Sequence, residues 1–153
     1  METNSFRAFL AIEVPNETKH ALVTAIKPLR SNPALQLIKW TRPENLHITL
    51  RFLGNISQQQ YQCIDQKISQ AIKTMGGLHL TLTTLQPLPS TENLRVLTVK
   101  VEPYVALTTM ALTLDHIVTT CGIPDEKRPF NPHLTLGRIN NQRKINPNIL
   151  HNV

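Results

Sequence analysis

The sequence predicts an α+β fold of two similar lobes, each an antiparallel sheet with helices on its outer face. Three observations carry this. Short runs alternate apolar and polar residues, as half-buried strands do. Between them lie longer stretches with a helical apolar period. Each half of the chain contributes strands, a helix and one flanked His-x-Thr-Leu tetrapeptide. At 153 residues the chain reads as one bilobal domain, 1–153, large enough for a real core.

Residues 5–14 alternate as a strand. Pro15-Asn16-Glu17 then opens a helix, with Asn16 as its cap and Ala21, Leu22, Ala25, Ile26 and Leu29 as its apolar stripe; Pro28 limits it. Leu35 to Trp40 reads as a short strand and Leu46 to Leu53 as a second, which Gly54 ends. Ser57 and Gln60 have the spacing of a capping box, and Tyr61, Ile64, Ile68, Ala71 and Ile72 keep a helical period until Gly76-Gly77. In the second half, Leu78 to Leu85 alternates and a proline-containing loop follows. Leu94 to Val101 is a strand with Leu94, Val96 and Thr98 on one face. A helix from about Pro103 to Thr120 ends at Cys121-Gly122, and Leu134 to Ile139 is the last strand. The tail from Asn140 to Val153 is polar and expected to be loosely ordered.

Hydrophobic content of 41% and charged content of 17% belong to a globular chain, which excludes intrinsic disorder. The formal net charge of +6 favours a polyanionic partner such as RNA. Charge alone does not separate a nucleic-acid binder from an ordinary basic protein, and the basic residues are scattered. The two cysteines, Cys63 and Cys121, lack a Cys-x-x-Cys spacing and read as reduced structural thiols. No apolar run reaches the roughly 18–20 residues that span a bilayer. The apolar stretch near the start is short and interrupted by Arg7 and Glu13, unlike a signal peptide. A cytoplasmic, soluble monomer with no membrane partner is expected.

The tetrapeptide His-x-Thr-Leu occurs at His47–Leu50, His79–Leu82 and His133–Leu136. In a strand, residues i and i+2 share a face, so His47 projects with Thr49 and His133 with Thr135. The flanks separate the copies. The first sits between Trp40-Thr-Arg-Pro43-Glu44-Asn45 and Arg51-Phe52-Leu53-Gly54, the third between Arg128-Pro129-Phe130-Asn131-Pro132 and Gly137-Arg138. His79 has no preceding proline and no following glycine or arginine. It reads as strand composition, and His20, His116 and His151 read as packed or surface residues. Trp40, Phe9 and Phe52 read as core.

Paired imidazoles can divide a reaction into base and acid, since an unperturbed histidine titrates near pH 6.5. The hydroxyls of Thr49 and Thr135 can donate to phosphate oxygens, and an arginine can stabilise charge on a pentacoordinate phosphorus. Strict alternation puts Arg51 on the face of His47 and Arg138 on the face opposite His133; a bulge near Gly137 would re-aim Arg138. A zinc site is not expected, because the two histidines have no convincing third ligand.

Arg7-Ala-Phe9-Leu-Ala-Ile, Trp40 to Gly54 and Arg128 to Arg138, in this order and spacing, resemble the 2H phosphoesterases. Within them the chain is similar to the RNA 2′,3′-cyclic phosphodiesterases, also called the 2′-5′ RNA ligase family. The glycine-phenylalanine and Leu-Trp pairs that members often carry are absent around residues 86–101. The resemblance implies two lobes facing across a central cleft, each contributing one motif, and chemistry without metal or cofactor. It implies hydrolysis of RNA 2′,3′-cyclic phosphate ends to 2′-phosphomonoesters, reversible as 2′-5′ ligation. His47 would be the acid on the ribose 3′-oxygen, His133 the base, and Thr49, Thr135 and Arg138 the phosphate ligands. Small-molecule cyclic phosphates are a rival substrate class. A module that binds RNA or nucleotide ends without turning them over, and a metal-dependent hydrolase, are rival functions.

Overall fold

A computed structural model describes residues 4–140 and Leu150. Among these are β1 (Ser5–Glu13), α1 (Asn16–Ala25), α2 (Lys27–Arg30), β2 (Ile38–Trp40), β3 (His47–Ser57), α3 (Gln58–Ile72), β4 (Thr81–Pro89), β5 (Leu94–Glu102), α4 (Tyr104–Thr119) and β6 (His133–Ile139). The fold is α+β, with antiparallel pairing wherever β6 meets a neighbour. The chain forms two compact units that are not its two halves. Within the described residues, the first holds 4–12, Thr49–Thr81 and Glu102–Pro132; the second holds Glu13–Ile48, Leu82–Val101 and 133–140.

In the first unit β1 lies beside β3. Leu53, Ile56, Ile64, Val118 and Ile123 form a buried cluster, joined by Ala8, Leu10, Ile68 and Cys121. Helix α4 supplies Leu107, Ala111, Leu114 and Val118, an i, i+4, i+7, i+11 stripe. Each buried leucine or valine among them stabilises by roughly 1.5–3 kcal/mol. The predicted capping box opens α3: Ser57 Oγ accepts from Gln60 N at 3.2 Å, and Gln60 Oε1 accepts from Ser57 N at 2.9 Å. α3 ends at Ile72, before the glycine pair.

Two expectations about this unit are corrected. Cys63 and Cys121 form a disulfide, with Cα atoms 5.9 Å apart, instead of remaining thiols. The separation of 58 residues hides this in sequence, whereas the packing of α3 on α4 brings the two Cα atoms within bridging range. Phe9 and Phe52 are not core. They are 48% and 53% exposed and pack on each other, ring centroids 6.2 Å apart, because Ala8, Leu10 and Leu53 fill the interior.

In the second unit β6 pairs with β5 along one edge and with β2 and the start of β3 along the other. Leu35, Ile38, Leu46, Ile48, Leu94, Leu97, Val99, Leu134 and Leu136 are buried here. Asn16 does not cap α1: Pro15 is the cap residue, with no side-chain hydrogen bond. Pro28 lies in the first turn of α2, where its missing N–H has no partner to lose. Pro33–Leu35 is a 3-10 turn, so β2 starts only at Ile38. β3 runs on through Gly54, which takes a positive φ of 71°, and β4 starts at Thr81 and absorbs much of the expected loop. Leu94 is buried and Val96 half-buried, as an alternating strand would give, but Leu97 to Val99 are all buried. Trp40 is half-buried, not core. His151 and most of the polar tail lie outside the described residues.

Candidate active site

The site begins with one strand pair. Ile48 of β3 and Leu134 of β6 are antiparallel partners, both buried. Each is the middle residue of a His-x-Thr motif. Antiparallel register carried one residue along sets His47 beside Thr135, with His133 on the diagonal at roughly 7–8 Å between Cα atoms. His47, Thr49, His133 and Thr135 are all half-buried, while the residues between them are buried. His47 and His133 both belong to the second unit, whose boundaries fall between Ile48 and Thr49 and between Pro132 and His133. The first boundary falls inside the first motif and the second just before the other, so both histidines lie in the second unit.

The flank before the first motif has a physical task. Pro43–Asn45 forms a 3-10 turn, closed by Leu46 N donating to Pro43 O at 3.2 Å. It presents the Asn45 carbonyl to His47 Nδ1 at 2.6 Å. A carbonyl only accepts, so this contact places a hydrogen on Nδ1. Reasoning from residue types missed Asn45, because a backbone carbonyl leaves no mark on its own side chain; Pro43 was the available signal.

The predicted irregularity near Gly137 is present. Consecutive residues Leu97 and Thr98 of β5 face Gly137 and Thr135 of β6, which leaves Leu136 as an extra residue. Burial follows: Leu136 and Gly137 are both buried and Arg138 is exposed. The extra residue shifts the alternation, so Arg138 emerges on the face of His133 and Thr135 instead of the opposite one. Gly137 also lets β2 approach. A Cβ there would strike Ile38 Cγ2 and lie 3.0 Å from Lys39 O and 3.3 Å from Trp40 Cα.

Arg51 is committed elsewhere. It is 7% exposed, its Nε donates to Asp115 Oδ1 at 2.5 Å, and its terminal nitrogens donate to the carbonyls of Phe52 and Pro124. Glu126 Oε2 lies 3.9 Å from Nη1. Leu50 and Arg51 are both buried and Phe52 is exposed. The fork of a guanidinium suits such a set of acceptors, and this use occupies its donors.

Thr98 stands opposite Thr135, but its hydroxyl is fully buried and donates to Gln86 O at 2.8 Å. Lys100 faces His133, and Lys39 faces Arg138; both lysines are exposed and neither was singled out from sequence. His79 is exposed, precedes β4 and belongs to the first unit, in keeping with its missing flanks. His20 and His116 are exposed. Among the described residues no helix is long and apolar enough to cross a membrane.

Residues 12–98 match the family model of the LigT-like phosphoesterases, and the chain belongs to that family of 2H phosphoesterases. It is 26% identical over 137 residues to an RNA 2′,3′-cyclic phosphodiesterase of Methanothermobacter thermautotrophicus, covering 90% of this chain and 73% of that protein. It is 25% identical over 130 residues to the Bacillus subtilis RNA 2′,3′-cyclic phosphodiesterase, covering 85% and 69%. The crystal structure of TT0787 of Thermus thermophilus superposes with a TM-score of 0.76 at 27% identity, over 89% of this chain and 75% of that one. Escherichia coli LigT complexed with 3′-AMP shares the fold, with a TM-score of 0.69 at 24% identity over 88% and 74%.

Proposed function

We propose that this chain opens the 2′,3′-cyclic phosphate at an RNA 3′ end and leaves a 2′-phosphomonoester. The observation that carries this reading is the pairing of Ile48 with Leu134, which sets two flanked His-x-Thr motifs side by side in adjacent strands. Membership of the phosphoesterase family and relatives named RNA 2′,3′-cyclic phosphodiesterase support it.

Water attacks phosphorus in line with the P–O3′ bond. His133 takes the water proton as base, and His47 gives the Nε2 proton to O3′ as that bond breaks. The Nδ1–H to Asn45 carbonyl contact holds the His47 ring for this transfer. Thr49, Thr135 and Arg138 donate to the phosphate oxygens, where charge builds in the transition state. Arg138 is chosen over Arg51 because Arg51 is spent on Asp115 and two carbonyls. Neither metal nor cofactor is assigned a step. If a 5′-hydroxyl replaces water, the same transfers join two RNAs through a 2′-5′ bond.

The test compares RNA ending in a 2′,3′-cyclic phosphate with nucleoside 2′,3′-cyclic phosphates, with and without EDTA. Turnover of the RNA that is indifferent to chelator supports the reading. Turnover of only the small substrates transfers it to that class. Binding without product assigns a module that holds RNA ends, and loss in EDTA assigns a metal-dependent hydrolase.

A further inference from the structure

We propose that Lys39 is a second anion ligand of this site, seating the phosphodiester that precedes the cyclic end, so that the site prefers a polynucleotide to a mononucleotide. The inference rests on the function proposed above and names its substrate class more narrowly.

The starting point is an arrangement that costs stability. Lys39 of β2 and Arg138 of β6 are direct partners in an antiparallel pair, and both are exposed. Like charges directly opposite across a sheet repel. Among the described residues neither has a carboxylate within ion-pairing distance. Arg51, Arg128 and Lys19, by comparison, each have an acidic partner. A third cation, Lys100, stands opposite His133 on the same strand, β6. The positions facing outward on this part of the sheet thus combine lysine, arginine, histidine and threonine without an acidic residue among them. Anions seated beside Lys39 and Arg138 offset this repulsion, and each gains a charge-assisted hydrogen bond.

A second phosphate fits this better than a second contact to the first. The guanidinium of Arg138 offers a planar fork to one phosphate, whereas the ammonium of Lys39 is a separate point charge on a flexible stem. Gly137 is what allows the pair: without a Cβ, it lets β2 close on β6 and brings Lys39 abreast of Arg138. In RNA the phosphodiester one nucleotide upstream is the anion nearest the cyclic end, and nucleoside cyclic phosphates lack it.

The experiment measures kcat/KM for a short RNA with a cyclic end and for the matching nucleoside 2′,3′-cyclic phosphate, across a range of salt, for wild type, Lys39→Ala and Lys39→Arg. With Lys39→Ala, the value for RNA is expected to fall roughly fivefold and that for the nucleoside by less than twofold. The slope of log kcat/KM against log salt for RNA is expected to flatten by about 0.7, the share of one single-strand phosphate contact. Lys39→Arg should restore both. Equal losses on the two substrates, or an unchanged salt slope, would overturn the role of Lys39. Failure of the wild type to turn over either substrate would instead overturn the proposed function.

Discussion

Ile48 and Leu134 pair across β3 and β6, and each is the buried centre of a His-x-Thr motif. Two segments 86 residues apart are joined at one point of one sheet, and their histidines follow from that register. The acid and base assignments can be separated chemically. A cyclic phosphorothiolate with sulfur at the 3′ position has a leaving group that needs no protonation, since thiols ionise near pH 8.5. His47→Ala should recover most of its lost rate on this substrate and His133→Ala should not. Rescue of His133→Ala alone would exchange the two roles.

The arginines should separate by kind of defect. Arg138→Ala is expected to lower kcat/KM by about 10²–10³-fold with little change in melting temperature, the scale of losing one transition-state donor. Arg51→Ala strands Asp115, whose side chain is 21% exposed. It should cost about 2–3 kcal/mol of stability, below the ~3–5 kcal/mol of a fully buried pair, and leave folded enzyme active. Thermal melts beside activity corrected for folded fraction check this. A stable, inactive Arg51→Ala would return that residue to the site.

Gly137→Ala forces its new Cβ into Ile38 and the β2 backbone. Overpacking of this kind costs about 1–3 kcal/mol. It should also raise KM for RNA, because displacement of β2 parts Lys39 from Arg138. A melt and a saturation curve on the same preparation measure both effects.

The disulfide closes a long loop, and chain entropy alone gives it about 4 kcal/mol. Reduction, or the Cys63→Ser/Cys121→Ser pair, should lower the melting temperature by about 8–16 °C. A melting temperature indifferent to reductant would show that the bridge adds nothing.

Glu126 supplies an acid-range signature. Hydrogen bonds from the Arg128 side chain, then from its backbone N–H, hold its carboxyl down to about 2 from an ordinary 4.5, against the effect of burial. A depressed folded value means the contribution is complete above pH 4.5 and is lost as pH falls towards 2. Glu126→Gln should lose less stability over that interval than wild type, by denaturant midpoints at pH 5, 3.5 and 2. The difference should be small, because Arg128 is 76% exposed.

Local rules in the sequence located much of this molecule. The Ser57–Gln60 box, the extent of α4 and the strands around both motifs follow from period and capping chemistry. What escaped depends on long-range partners. Strict alternation pointed to Arg51, yet Arg51 is buried among acceptors, and the extra residue in β6 leaves Arg138 exposed. Gly137 marked the irregularity in β6; nothing local marked the fate of Arg51, which Asp115 and Pro124 capture from far along the chain. The bond between Cys63 and Cys121 escaped for the same reason.

The most direct measurement is hydrolysis of a short RNA ending in a 2′,3′-cyclic phosphate by wild type, His47→Ala and His133→Ala in EDTA, with the product resolved as 2′- or 3′-monoester. The expected result is 2′-phosphate from the wild type and a loss of about 10²–10⁴-fold in each variant. A 3′-phosphate product, or a variant that keeps the wild-type rate, would contradict the two-histidine mechanism.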